Sequence, residues 1–165
     1  TWNDVDLDAG VLAVRNQLQG AAKKAKLVAP KTKRGIRELA INARVVVLLR
    51  ERKRRQAAEK LAAGDKWEDR LNLIFTGERG QALEGATVLK SHRRLCKAAG
   101  VAAVRFHDLR HGAATLMLDA GVDPATLSAT LGHSRVGFTL DTYVHATRRN
   151  LDDAVEKLAR VLKLK

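Results

Sequence analysis

A chain of 165 residues, 45% hydrophobic and 30% charged, is long enough for a real core and too apolar for an intrinsically disordered segment. Its 31 lysines and arginines against 18 acidic residues leave a formal charge of +13, which favours a polyanionic partner, a nucleic-acid duplex foremost. No apolar run reaches the length of a membrane span, no signal peptide opens the chain, and the single cysteine, Cys96, excludes an intramolecular disulfide, so an intracellular, cytoplasmic protein is expected.

In chain order, Trp2-Asn-Asp-Val-Asp-Leu-Asp-Ala-Gly10 carries a turn signal at Asp8 to Gly10, and Val11 to Val14 reads as a strand. Gly20 to Pro30, with Lys23, Lys24 and Lys26 among small residues, suits the exposed tip of a hairpin. Glu38 to Ile41 is a short returning strand, which completes a small antiparallel sheet. Asn42 offers an N-cap, and Val45, Leu48, Leu49 and Arg52 then follow helical spacing, with Arg50 to Arg55 on a basic, solvated side. The helix continues through Ala63 and stops at Gly64-Asp65. Leu73-Ile-Phe75 reads as a short extended piece, closed by a turn over Thr76 to Gly80. A helix from Ala86 to Ala99 stops at Gly100 and places Cys96 on an apolar side with Val88, His92, Leu95 and Ala99, hence in the core.

Phe106 to Ala120 is the next helix, ended by Gly121. Asp123-Pro124 restarts the chain as an N-cap aspartate with proline at the first helical position, and that short helix ends at Gly132. A further helix carries Thr139 to Tyr143. The last, Leu151 to Leu164, gathers Leu151, Ala154, Val155, Leu158, Val161 and Leu162 on one face, to pack on the domain or on a neighbouring subunit. There is no internal repeat and no long linker. The expectation is one domain, residues 1–165, mainly α with a small N-terminal antiparallel β-sheet, an α+β fold.

The residues with chemistry to offer gather in one stretch: His107-Asp-Leu-Arg110-His111, then Leu131-Gly132-His133, then Tyr143 in Leu-Asp-Thr-Tyr-Val-His145. A spacing of three puts His107 and Arg110 on one helix face, where one phosphate could meet both. Tyr143 is the only tyrosine. An isolated His-x-x-Arg is common. Followed by Gly112-Ala-Ala-Thr115 and Gly121-Val-Asp-Pro124, the match is specific, and in this order the boxes resemble the C-terminal boxes of the tyrosine recombinases, the phage integrase family. The resemblance runs from Trp2 to the last helix.

What the resemblance implies is a tyrosine recombinase catalytic-domain fold and a site-specific recombinase or integrase that cleaves and rejoins DNA through a 3′-phosphotyrosyl intermediate. By the same resemblance Tyr143 attacks the phosphate. Arg110 serves the phosphate oxygens, two of which suit its planar fork. His107 supplies hydrogen bonding and proton handling, and His133 contacts the phosphate. Lys31, in Pro30-Lys31-Thr32, resembles the lysine on the family's mobile hairpin that protonates the leaving 5′ oxygen, with Lys33 as its rival. His111, one residue from Arg110, is expected to point elsewhere in a structural role, and His92 and His145 have no assignment. Such chemistry needs no cofactor and no metal, and the sequence shows no carboxylate cluster or Cys/His set to hold one. The implied partners are double-stranded DNA and further copies of the chain, a tetramer on DNA through the C-terminal helix, in a bacterial or phage, nucleoid-associated setting.

The family also uses an earlier arginine, in a Gly-x-Arg-type box ahead of a Trp-x-Asp-x-Asp stretch. Trp2-Asn-Asp4-Val-Asp6 looks like that stretch, and only Thr1 stands before it. The isolated chain is therefore expected to be impaired, about a hundred- to a thousandfold for one missing charged donor. The alternative is a catalytically incompetent DNA-binding remnant of the same fold. Gly137-Phe138, where relatives often carry Ser or Thr, is a small departure.

Overall fold

The computed structural model describes residues 1–132, apart from residues 21, 33 and 34 and the side chain of residue 23. The helices expected over 139–143 and 151–164 lie outside the described residues, as do Lys33, His133 and Tyr143. The chain divides into two compact units, Thr1–Ala103 and Val104–Lys165.

In the first unit, β1 (Val5–Asp6) and β2 (Val11–Val14) pair antiparallel with Val5 opposite Leu12. Asp6 makes the turn between them: its Oδ1 accepts the N–H of Asp8 at 3.0 Å and of Ala9 at 2.8 Å, and Gly10 takes the left-handed position at φ +65°. The next strands are β3 (Gln17–Gln19), β4 (Lys26–Val28) and β5 (Arg37–Ala40). β5 returns along β2 with Leu39 opposite Leu12, giving the order β1-β2-β5. β3 and β4 form a separate two-stranded ribbon, Leu18 opposite Leu27. The expected single small sheet is thus a three-stranded sheet plus a ribbon. Gln17, Leu18 and Gln19 are all exposed, so β3 has no apolar face to dock on the sheet that buries Ala13.

Helix α1 (Ala43–Ala63) starts where Asn42 Oδ1 accepts the Val45 N–H at 3.0 Å and ends at Gly64, whose N–H reaches the Lys60 carbonyl. Leu49 is its buried residue. Beyond Leu49 the inward side is polar, and Arg52, expected on the solvated side, turns in. Its Nε donates to the Ile74 carbonyl at 2.9 Å, and its Nη1 and Nη2 reach the two oxygens of Glu59 at 2.7 and 2.9 Å. Gln56, one turn on, donates to the Leu73 carbonyl at 2.8 Å and accepts from Trp2 Nε1 at 2.5 Å. The piece Leu73-Ile-Phe75, expected to be extended, bends at Ile74 and Phe75. The Leu73 and Ile74 carbonyls are taken by side chains of α1, Phe75 is exposed, and the nearby pairing is a bridge between Thr76 and Ala82.

Helix α2 (Gly85–Ala98) buries Cys96, whose Sγ lies 3.7 Å from His92 Nε2. Val88, His92 and Cys96, four apart, form its inward line. Leu95, expected beside Cys96, is exposed, because one residue along a helix is a rotation of about 100°.

In the second unit, α3 (Asp108–Asp119) and α4 (Pro124–Leu131) pack around Ala114, Leu118 and Leu127, with Met117, Val122 and Leu131 at the edge. Gly121 turns the chain at φ +84°. Asp123 then caps α4, its Oδ1 accepting from the N–H groups of Ala125 and Thr126, both at 2.9 Å. Those bonds hold the Asp123 carboxyl below its ordinary pKa, the Thr126 side chain contributing most. Gly132 closes α4 in the left-handed conformation, φ 71° and ψ 38°. The fold is α+β, as expected.

Candidate active site

The His107 to Arg110 box is the first turn of α3. Asp108 donates its N–H to the Arg105 carbonyl at 2.9 Å and Arg110 to that of His107 at 3.1 Å, so the chain is already coiled at His107 (φ −69°, ψ −26°). The His107 side chain does not cap the helix and is exposed. Arg105 Nε and Nη2 reach the two oxygens of Asp108 at 3.0 and 2.9 Å. This fork holds the Asp108 carboxyl below, and the Arg105 guanidinium above, their ordinary values. Asp108 is thereby committed to Arg105 and to the positive end of the helix.

Arg110 is half-buried, and its Nη2 donates to the Leu131 carbonyl at 2.6 Å. That carbonyl belongs to the last turn of α4, where helix geometry leaves acceptors without an intrahelical donor. A cation there also opposes the negative end of the helix dipole. One bond thus ties the His-x-x-Arg box to the Leu131-Gly132 end of α4, twenty-one residues further on. A guanidinium has five N–H donors, and one is committed to Leu131 among the described residues; the fork keeps donors for an anion.

His111 shares a helix face with His107. Its ring meets that of His107 edge to face, centroids 5.3 Å apart and planes at 76°. Adjacency to Arg110 turns it off that residue's face, and the spacing of four brings it to His107, since residues four apart share a helix face. That spacing was in the sequence and is the signal that would have found it.

Lys31 belongs to the first unit. It is exposed at the bend after β4, between Pro30 and Thr32, whose carbonyl accepts the Gly35 N–H at 2.9 Å. The Trp2 to Asp6 stretch lines an open cleft of about 990 Å³ in the same unit, with Arg15, Glu38, Arg50 and Lys53 on its walls. Lys53 Nζ sits 5.6 Å from the centre of the Trp2 ring. The Thr1 hydroxyl, which donates to Asp4, holds that carboxyl below its ordinary value. Lys31, of the same unit, does not line this cleft. Among the described residues no three His, Cys, Asp or Glu side chains gather to hold a metal ion, and no helix is long and apolar enough to cross a membrane.

Comparison with known proteins shows the family. The model of the phage integrase family matches residues 1–150. A tyrosine recombinase XerC-like protein of Caldanaerobacter subterraneus subsp. tengcongensis is 32% identical over 168 residues, covering 95% of this chain and 43% of that protein. The ICEBs1 integrase of Bacillus subtilis is 26% identical over 161 residues, covering 98% of this chain and 43% of that one. Among solved structures, the Tn1549 transposon integrase in complex with transposon right end DNA aligns with a TM-score of 0.77 at 23% identity, over 96% of this chain and 52% of the other. XerA recombinase aligns with a TM-score of 0.66 at 24% identity, over 92% and 49%. The chain therefore spans about half or less of the length of these relatives. The structural likenesses speak for the fold, and the sequence matches speak for descent: this chain belongs to the phage integrase family, the tyrosine recombinases.

Proposed function

We propose that residues 1–165 are the catalytic domain of a site-specific recombinase that cleaves and rejoins double-stranded DNA through a 3′-phosphotyrosyl intermediate. The supporting observation is the bond from Arg110 to the Leu131 carbonyl, which holds a cationic fork where the His-x-x-Arg box meets the Leu131-Gly132 end of α4. The Tn1549 integrase, of similar fold, was captured on transposon right end DNA, and a net charge of +13 suits the same partner.

In the proposed reaction the Tyr143 Oη forms a bond to phosphorus while the bond from phosphorus to the 5′ oxygen breaks. The phenol proton leaves through His107, and Lys31 gives a proton to the departing 5′ oxygen. Arg110 and His133 carry the charge on the non-bridging oxygens, where a fixed cation is worth most. Rejoining is the reverse, with a 5′ hydroxyl as nucleophile. No metal or cofactor takes part. Further copies assemble on the DNA through 151–164.

The test is capture from a pool of synthetic nicked duplexes of randomised sequence. Wild-type protein is expected to retain a covalent adduct under denaturing conditions, and the captured duplex then defines the site. Tyr143→Phe should bind that duplex and form no adduct; an adduct from the Phe variant would remove Tyr143 as nucleophile.

A further inference from the structure

We infer that Arg70 is a positioning residue for Lys31: it clamps the tip of the β3–β4 ribbon, and so sets where the lysine beyond β4 stands. This deepens the proposed function and rests on the proton-donor role given there to Lys31.

A two-stranded ribbon of three residue pairs has no stability to spare on its own, and β3 lies exposed along its length. Its direction must come from what holds it. The tip is held at two points. Arg70 Nη2 donates to the Ala25 carbonyl at 2.6 Å, and the Ala22 N–H donates to the Ala82 carbonyl at 3.3 Å. Ala25 is 1% exposed, so the tip is packed against something rather than projecting into solvent. The tip is also tightly wound: Gly20 stands at φ +81°, where a Cβ would come within 2.8 Å of the Lys24 carbonyl oxygen, and Ala22 adopts φ +46°.

The platform that carries Arg70 is itself fixed. Glu68 donates its N–H to the Arg79 carbonyl at 2.6 Å, and Thr76 bridges Ala82. Arg52 and Gln56 of α1 then hold the carbonyls of Ile74 and Leu73. Hydrogen bonds joined by short stretches of the loop backbone therefore connect α1 to the ribbon tip. From the tip the ladder leads to Val28, and Pro30 passes the constraint to Lys31. The Pro30 ring lies so close to Gly35 that a Cβ there would come within 2.6 Å of it. A general acid displaced by about 1 Å can lose on the order of a hundredfold in rate, so the clamp has a kinetic consequence.

The experiment compares two forms of the duplex captured by the wild-type protein: the ordinary one, and one with sulfur in place of the scissile 5′ oxygen. A thiolate leaves without a proton, so the sulfur form does not need the acid. Lys31→Ala should slow adduct formation on the oxygen form by about a hundredfold or more and be restored on the sulfur form. Arg70→Ala should slow the oxygen form by roughly ten- to a hundredfold, with duplex affinity within about twofold, and should likewise be restored by sulfur. Arg70→Lys, which keeps a donor for the Ala25 carbonyl, should lose less than Arg70→Ala. Failure of Lys31→Ala to recover on sulfur would overturn the role of Lys31 itself. Recovery of Lys31→Ala without recovery of Arg70→Ala, or an Arg70→Ala rate equal to wild type, would overturn the clamp alone. Should Arg70→Ala melt with the loss of the whole unit, Arg70→Lys and Arg70→Gln carry the same comparison.

Discussion

Arg110 donates to the carbonyl of Leu131 across 2.6 Å, joining the first turn of one helix to the last turn of the next. The bond orients the guanidinium without using up its fork, and it fixes the distance between two boxes that are twenty-one residues apart in the chain. Lysine in this place could satisfy the carbonyl or an anion, but a single ammonium cannot present two parallel N–H groups to both.

Arg110→Lys is accordingly expected to reduce adduct formation by at least about a hundredfold while leaving duplex affinity nearly unchanged. Single-turnover rates on the captured duplex, beside a binding isotherm, measure the two separately. Equal rates for Arg and Lys would mean that one positive charge suffices there.

The Gln56 side chain serves both the Trp2 indole and the Leu73 carbonyl. Gln56→Ala leaves both half-buried partners unsatisfied and should cost about 1–3 kcal/mol. Urea denaturation should show a lower midpoint at unchanged slope. No shift in midpoint would mean that solvent already serves these groups.

Gly80 stands at φ +80° with the Trp67 ring and the Glu68 carbonyl where a Cβ would go, 2.7 and 2.6 Å away. Gly80→Ala combines an unfavourable backbone with two close contacts, and a loss above about 1 kcal/mol is expected. A thermal melt monitored by tryptophan fluorescence reports on it directly, since Trp67 is the residue displaced. An unmoved melting temperature would argue against the close packing.

The Asp123 carboxyl is held below its ordinary value by the Thr126 side chain first and then by the N-terminal backbone bonds of α4. A folded pKa lower than the unfolded one means stabilisation that is present above the unfolded value of 3.8 and lost as pH falls through the folded value. Asp123→Asn keeps a capping oxygen and removes the titration. Its melting temperature should fall less steeply than that of wild type as the pH drops below about 4. Parallel curves for the two proteins would assign the acid sensitivity elsewhere, Asp108 and its pair with Arg105 being the next group to examine.

By itself the sequence determined the local elements that depend on neighbours in the chain. Asn42 and Asp123 cap the helices they precede, Gly10, Gly100, Gly121 and Gly132 take left-handed positions, and His107 and Arg110 share a turn, because caps, turns and helix faces are set by residues one to four apart. The boxes from His107 onward also carried the family, since their order and spacing are written in the chain. Only the tertiary structure decided where long side chains go once more than one partner is in reach. Arg52 turned inward to the Ile74 carbonyl, 22 residues away, and Gln56 to that of Leu73, within the piece expected to be extended. His111 met His107 because helix periodicity outweighs adjacency. No pattern in the chain announces that Arg110 meets Leu131 or Arg70 meets Ala25: an arginine has five donors on a long side chain, and which acceptor it meets is fixed only when the elements have packed.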